Sequence, residues 1–336
     1  MIDGIDHVEL HVRDAAAVAA ALRRDYGFAG PDGLLRHGPV ALKLTSGADA
    51  AGYVRRHGDG VARIAFRTAD VRAAFEMAVA AGASPIVAPR DGIAEVSGFG
   101  DVTHRLVKRL VPGSAPCGPG AVFSALDHVA VCLPPGQLEA TVRFYRDGFG
   151  LSEVFDERIE VNGQAMISKV VQDPGRAVTF TLIEPDPSLA PGQIDQFLAA
   201  HGGAGVQHLA LGCGDIVAAV RTLAGRGVEF LTAPDGYYRA LGARLGELAI
   251  PVDVLRELNL LADRDRWGQL FQIFTRSTHE RHTFFIELIE RRGALTFGSG
   301  NIKALYAALD SEDRDDYSAS VRPALRSSLG SASLGR

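Results

Sequence analysis

The sequence predicts an α+β protein built from tandem βαβββ units, arranged as two pseudo-repeated halves. Three observations predict it. The segment Ile5-Asp6-His7-Val8 recurs as Leu126-Asp127-His128-Val129. HGDGVARIAF at 57–66 recurs as HGGAGVQHLAL at 201–211. Asp70–Pro89 matches Asp215–Pro234; both segments are 20 residues long, and each starts seven residues after its upstream landmark, Arg63 or His208. A register held over three blocks marks an internal repeat, and a repeat that mixes period-two with helical patterns is an α+β unit used more than once.

Each half reads in the same order. An alternating strand (5–12; 126–133) leads into an Ala- or Leu-bearing helix (14–24; 136–147). Gly-rich stops follow, Asp25-Tyr26-Gly27-Phe28 and Asp147-Gly148-Phe149-Gly150. After further strands and a Gly turn come the strands Val61–Phe66 and Val206–Leu211. Second helices start at Asp70 and Asp215, both suited to N-capping, and end before Gly82 and Gly227. The stretch 111–120 (VPGSAPCGPG) is rich in Pro and Gly and reads as a linker between a domain over 1–110 and a longer one over 121–310. Residues 311–336, charged and then Ser/Gly-rich, read as a flexible tail.

The chain of 336 residues is long enough for two domains with their own cores. Its composition is 47% apolar and 22% charged, with net charge −5 and no dense Lys/Arg run, which argues against a nucleic-acid partner. Three scattered cysteines, Cys117, Cys132 and Cys213, suit a reduced, cytoplasmic protein. No leader-like start and no apolar run of ~18 residues is present, so no membrane partner is expected.

Strand alternation locates the candidate site. His128 shares a face with Ala130 and Cys132, and His208 with Val206 and Ala210. Glu287 shares one with Phe285 and Ile289 in the strand Thr283–Glu290. A carboxylate in the middle of Phe-Phe-Ile-Glu-Leu-Ile is costly to bury unless something pairs with it. One divalent cation held by His128, His208 and Glu287 answers all three placements. Two imidazoles and one carboxylate form the facial set of non-haem Fe(II) oxygenases, although the same donors suit Zn, Mn or Ni. Single histidines in strands and loops are more often packed or solvated than ligating, and His57, His104, His201, His279 and His282 are read that way. The run Thr278-His279-Glu280-Arg281-His282 is read as a solvated loop. In the first half His7 keeps its position, Arg63 replaces His208, and His104 or Arg105 falls near the third. Arginine does not ligate a cation, so this half is expected to hold no metal and to serve packing or dimerisation; a homodimer is the favoured assembly.

The blocks Asp127-His128-Val129, Gly203–Leu211, Gln272-Ile273-Phe274-Thr275, Phe285–Arg291 and Phe297–Leu305 resemble the 4-hydroxyphenylpyruvate dioxygenase family, of the vicinal oxygen chelate (glyoxalase-like) fold, over residues 1–310. The resemblance implies Fe(II) on His128, His208 and Glu287, O2 as co-substrate, and a small aromatic 2-oxo acid as substrate. Its substrate-binding positions fall on Ser168, Gln193, Gln207, Gln272, Phe274, Phe285 and Phe297. Two departures stand out. The family's Pro-x-Asn-Glu-Pro is Thr181-Leu182-Ile183-Glu184-Pro185 here, and the Phe of its Gly-Asn-Phe is Ile302. Loss of an amide and an aromatic wall resembles the branch of the family that forms 4-hydroxymandelate. The implied reaction is oxidative decarboxylation and benzylic hydroxylation of 4-hydroxyphenylpyruvate to 4-hydroxymandelate and CO2, with homogentisate as the alternative product. A barrier difference of roughly 3 kcal/mol would make one product dominant by about a hundredfold. No protein acid or base beyond the metal ligands is expected. Two readings from other classes remain: a non-catalytic binding protein of this fold, and a Zn- or Ni-dependent lyase or isomerase. Gly300–Leu309 reads as a short helix with Ile302, Leu305, Tyr306 and Leu309 on one side, which either closes over the pocket or simply docks.

Overall fold

The structure is a computed structural model and describes residues 1–109 and 121–304. The linker 111–120, the tail 311–336 and the far end of the helix read at Gly300–Leu309 lie outside the described residues, as does Cys117. Cys132 and Cys213 are buried free thiols.

The first half forms a seven-stranded sheet. In chain order it runs β1 (Ile2–His11), α1 (Ala15–Tyr26), β2 (Leu34–His37), β3 (Val40–Thr45), α2 (Ala48–His57), β4 (Gly60–Thr68), α3 (Val71–Ala80), β5 (Pro85–Arg90), β6 (Ile93–Ser97) and β7 (Thr103–Lys108). Across the sheet the order is β2-β3-β1-β4-β7-β6-β5, with β1 parallel to β3 and β4 parallel to β7. The first unit is abbreviated: one strand after its helix is reduced to a single bridge, Ala29 to Arg36.

The second half repeats the plan in an eight-stranded sheet. It comprises β8 (Phe123–Cys132), α4 (Leu138–Phe149), β9 (Ser152–Val161), β10 (Gln164–Gln172), β11 (Thr179–Pro185), α5 (Gln193–His201), β12 (Gly205–Cys213), α6 (Ile216–Gly225), α7 (Asp235–Leu245), α8 (Val252–Glu257), β13 (Leu261–Arg264), β14 (Gln269–Phe274) and β15 (Phe285–Arg292). The order is β13-β14-β15-β12-β8-β11-β10-β9, again with parallel pairs β8–β11 and β12–β15. Helices α2, α7 and α8 have no counterpart in the sequence reading.

The helix ends follow local chemistry. Asp14, Asp70 and Asp215 each accept a hydrogen bond from the amide three residues on, at Ala17, Ala73 and Ala218, which satisfies an otherwise orphaned donor. Gly27 and Gly150 end α1 and α4 at φ 70 and 72, left-handed values that favour glycine.

One apolar core runs through both halves. Helix α3 of the first packs on α4 of the second. Gly148 makes that approach possible, because a Cβ there would lie 3.1 Å from the Ala81 Cβ. His104 sits in this core among Phe66, Phe149 and Phe180, with Nε2 2.8 Å from the Tyr145 hydroxyl. His57 and His201 stack at 4.4 Å across the α2–α5 contact. All three therefore behave as packed histidines. The Thr278–His282 loop binds the first half through Arg281, which donates to the carbonyls of Arg55 and Arg56 and, within its own half, to that of Ala200. Among the described residues no helix is long and apolar enough to cross a membrane.

Candidate metal centre

Three adjacent strands, β15, β12 and β8, carry the candidate ligands. Ala210 is the shared neighbour: it pairs with His128 on one side and with Glu287 on the other. His208 lies two residues back on the same strand, so the three side chains surround a floor made by one methyl group. They are buried, and their nearest donor atoms lie within 4.8 Å of one another. The Glu287 Oε2 lies 3.4 Å from His128 Nε2 and 3.2 Å from His208 Nε2.

One expected detail is corrected. Val206 does not share the face of His208. A β-bulge separates them, and Val206 pairs with Val131 on the opposite face from Ala130, the partner of His208. The bulge leaves Gln207 beside His208, with Oε1 3.2 Å from His208 Nδ1.

Both imidazoles are held from behind. His128 Nδ1 lies 2.8 Å from Asp127 Oδ1, and Asp127 is gripped by Arg291. With each Nδ1–H donating to an oxygen, each Nε2 presents its lone pair to the Glu287 carboxylate. Glu287 Oε1 is buried and has no hydrogen-bond partner. Three acceptors thus converge where only a positive charge can satisfy them. Burial alone would lower the His128 pKa, but the Glu287 and Asp127 carboxylates outweigh it and raise it to about 9. Glu287 is pushed up by burial and pulled down further by His128 and His208, to about 2. His208 falls below its ordinary value, because its burial exceeds the help from Glu287.

The first half shows what happens to the same framework without the ligands. Strand register puts Glu9 opposite Arg63 and His7 opposite Ala65, and Ala65 is paired in turn with Arg105. Arg105, not His104, therefore occupies the place of Glu287. The centre is filled by ion pairs: Arg63 to Glu9 at 2.6 Å and to Glu95 at 2.9 Å, and Arg105 to Glu95 at 2.9 Å. Burial pushes the Glu9 carboxyl up, but His11, Thr45 and Arg63 hold it well below the usual range.

The expected substrate-binding residues separate into groups. Phe285 stacks on the His208 ring at 5.0 Å, Phe274 meets it at 5.9 Å, and Phe297 stands edge-on to His128 at 5.2 Å. Gln272 faces Ile289 across β14–β15, on the Glu287 side, and its Oε1 is buried without a partner. Thr181 pairs with Ala130 and Ile183 with Cys132, which sets both on the His128 face of β11. The Thr181 hydroxyl is also buried and unpartnered. Ser168 lies opposite Ile183 on β10. Ile183 packs with Cys132, Ile194 and Phe197 under α5. Gln193 opens α5 beside Gln164 and Met166, at the end of the sheet, and shows no contact with the triad. Ile302 lies on the segment after β15. That segment is anchored by Gly300 N to Asp263 at 3.0 Å and by Tyr237 Oη and Arg244 to the buried Asn301.

Asp127, Ala210 and Arg291 received no role from the sequence. Their signals were present: an acid directly before a ligating His, a small residue between three ligands, and an Arg in period-two step with Glu287.

The chain resembles known proteins along most of its length. The model of the Glyoxalase/Bleomycin resistance protein/Dioxygenase superfamily matches residues 125–273. A 4-hydroxyphenylpyruvate dioxygenase of Xenopus tropicalis is 32% identical, covering 77% of this chain and 74% of that one. Another, from Dictyostelium discoideum, is 29% identical over 92% of this chain and 98% of its own. The solved structure of a triple mutant of 4-hydroxymandelate synthase from Streptomyces coelicolor aligns with TM-score 0.82 and 45% identity, covering 92% of this chain and 98% of that chain.

Proposed function

Since this chain belongs to the 4-hydroxyphenylpyruvate dioxygenase family of non-haem iron dioxygenases, we propose that it binds Fe(II) on His128, His208 and Glu287 and converts 4-hydroxyphenylpyruvate and O2 to 4-hydroxymandelate and CO2. The observation that carries the metal is the convergence of two Nε2 atoms on a buried carboxylate whose second oxygen has no partner. Nitrogen and carboxylate donors on one side of an ion suit Fe(II) and leave room for other ligands. Bound there, Fe(II) would supply the electrons that activate O2.

The chain's own residues bind, orient and exclude water. Phe274, Phe285 and Phe297 offer ring faces and edges for an aromatic substrate. Gln272 and Thr181 each hold a buried, unpaired oxygen that a phenol or carboxyl group could satisfy. Ser168, Gln193 and Gln207 complete the proposed polar set. No residue near the triad is needed as acid or base, because the 2-oxo acid loses CO2 and gains oxygen with its protons conserved. The product is read from Thr181, Ile183 and Ile302. An apolar Ile183 within the cluster of Cys132, Ile194 and Phe197 offers no hydrogen bond to the aromatic end. That leaves the benzylic carbon, in place of the ring, as the position for oxygen transfer. The alignment with 4-hydroxymandelate synthase supports this branch.

The test is product identification. Fe(II)-loaded protein given 4-hydroxyphenylpyruvate and O2 is expected to yield 4-hydroxymandelate. Homogentisate would overturn the reading of Ile183 and keep the metal centre; the absence of both products and of O2 uptake would overturn the function.

A further inference from the structure

We propose that Arg291 is a positioning residue that fixes both a metal ligand and the aromatic wall beside it. The inference rests on the metal reading of the triad and deepens it. The Arg291 guanidinium grips Asp127 with two parallel bonds, Nε to Oδ2 at 2.7 Å and Nη2 to Oδ1 at 2.9 Å. Such a fork fixes the plane of a carboxylate as well as its position. That carboxylate in turn lies 2.8 Å from Nδ1 of His128 and so sets the ring's tautomer and tilt.

The third nitrogen works in the other direction. Nη1 donates to the Thr296 carbonyl at 2.6 Å and to the Ala294 carbonyl at 3.3 Å. The guanidinium carbon lies 4.8 Å from the centre of the Phe297 ring, and Phe297 stands at 90° to His128. The contacts close a circuit from Arg291 through Asp127, His128 and Phe297 back to Arg291. Asp265 holds the same turn from its far side, accepting from Leu295 N and Thr296 N.

The first half supplies an internal control. There Asp6 and His7 keep the same contact, at 2.7 Å. By strand register the position of Arg291 falls to Arg109, which donates to Asp3 at 3.1 Å instead of to Asp6. The fork is made in the half that carries the ligand set and not in the half whose ligands are replaced by Arg63 and Arg105.

The test uses the full chain, Co(II) as the metal probe, and anaerobic binding of 4-hydroxyphenylpyruvate to the Co(II)-loaded protein. Asp127→Asn is expected to weaken Co(II) binding by about 10- to 100-fold and leave aromatic binding to the loaded protein little changed. Phe297→Leu should do the reverse. Arg291→Met should weaken both and alter the visible Co(II) spectrum. Arg291→Lys should follow Arg291→Met, since an ammonium cannot fork. The double variant Asp127→Asn/Arg291→Met should lose no more Co(II) affinity than the weaker single variant. If Arg291→Met does not fold, Arg291→Lys with Asp127→Asn carries the test. Co(II) and aromatic affinities of the Arg291 variants within twofold of the wild type, or full rescue by Lys, would overturn the inference alone. A wild-type protein that takes up no Co(II) would overturn the metal reading and this inference with it.

Discussion

At the scale of single residues, the centre depends on small groups as much as on ligands. Ala210 leaves the floor open between His128 and Glu287, so Ala210→Val should cut Co(II) affinity by at least tenfold, about 1.4 kcal/mol, while circular dichroism stays native. Gly298 follows the Phe297 wall at φ 74, and a Cβ there would lie 2.2 Å from the Gln272 amide oxygen. Ile183→Asn restores an amide at the family's position. It should shift the product ratio toward homogentisate by about tenfold, a change of about 1.4 kcal/mol between the two barriers, read by chromatography. Alternation along three strands, together with the internal repeat, singled out His128, His208 and Glu287 as candidates, because a charged or polar group on an apolar face has to be paired. The bulge at Gln207 was not legible, since one inserted residue flips the face of Val206 without changing the composition of the strand.

At the scale of elements, the two sheets treat buried charge differently. In β1, β4 and β6, Glu9 and Glu95 lie against Arg63 with little exposure. Arg63→Met should leave two buried carboxylates short of a partner and cost about 3 kcal/mol, measured by urea unfolding at neutral pH. Between β7 and α4, burial lowers His104 to about 3 from an ordinary value of 6.5. The folded state then binds fewer protons than the unfolded chain. Its stability is fully present above pH 6.5 and is lost as pH falls from there toward 3. His104→Gln, which keeps a bond to Tyr145, should flatten that part of the stability–pH curve; an unchanged slope would exclude His104 as its source. Asp70 and Asp215 announced their helices because a cap is a local bond. Helices α7 and α8 were not legible: Tyr237, Tyr238 and Leu241 are held by tertiary contacts, and the local sequence carries no capping side chain.

At the scale of the whole molecule, the second sheet curls until its edge strands are bridged by the segment after β15. Lys303 pairs with Glu157 of β9, while Gly300 and Asn301 bind Asp263, Tyr237 and Arg244 around β13. Asn301→Leu should therefore weaken anaerobic binding of 4-hydroxyphenylpyruvate by about tenfold while Co(II) binding, made by β8, β12 and β15, is unchanged. The repeat, the βαβββ order, the helix caps and the three candidate ligands were all legible along the chain. Each of these is written in local spacing or in a period that one strand or helix imposes. That Arg105 takes the third place in the first half while His104 enters the core follows from the folded register. Folding also joins Arg291 to Asp127 across 164 positions and brings Phe297 against His128. Those pairings depend on which strands are neighbours and in what register, and backbone hydrogen bonding between distant segments sets both.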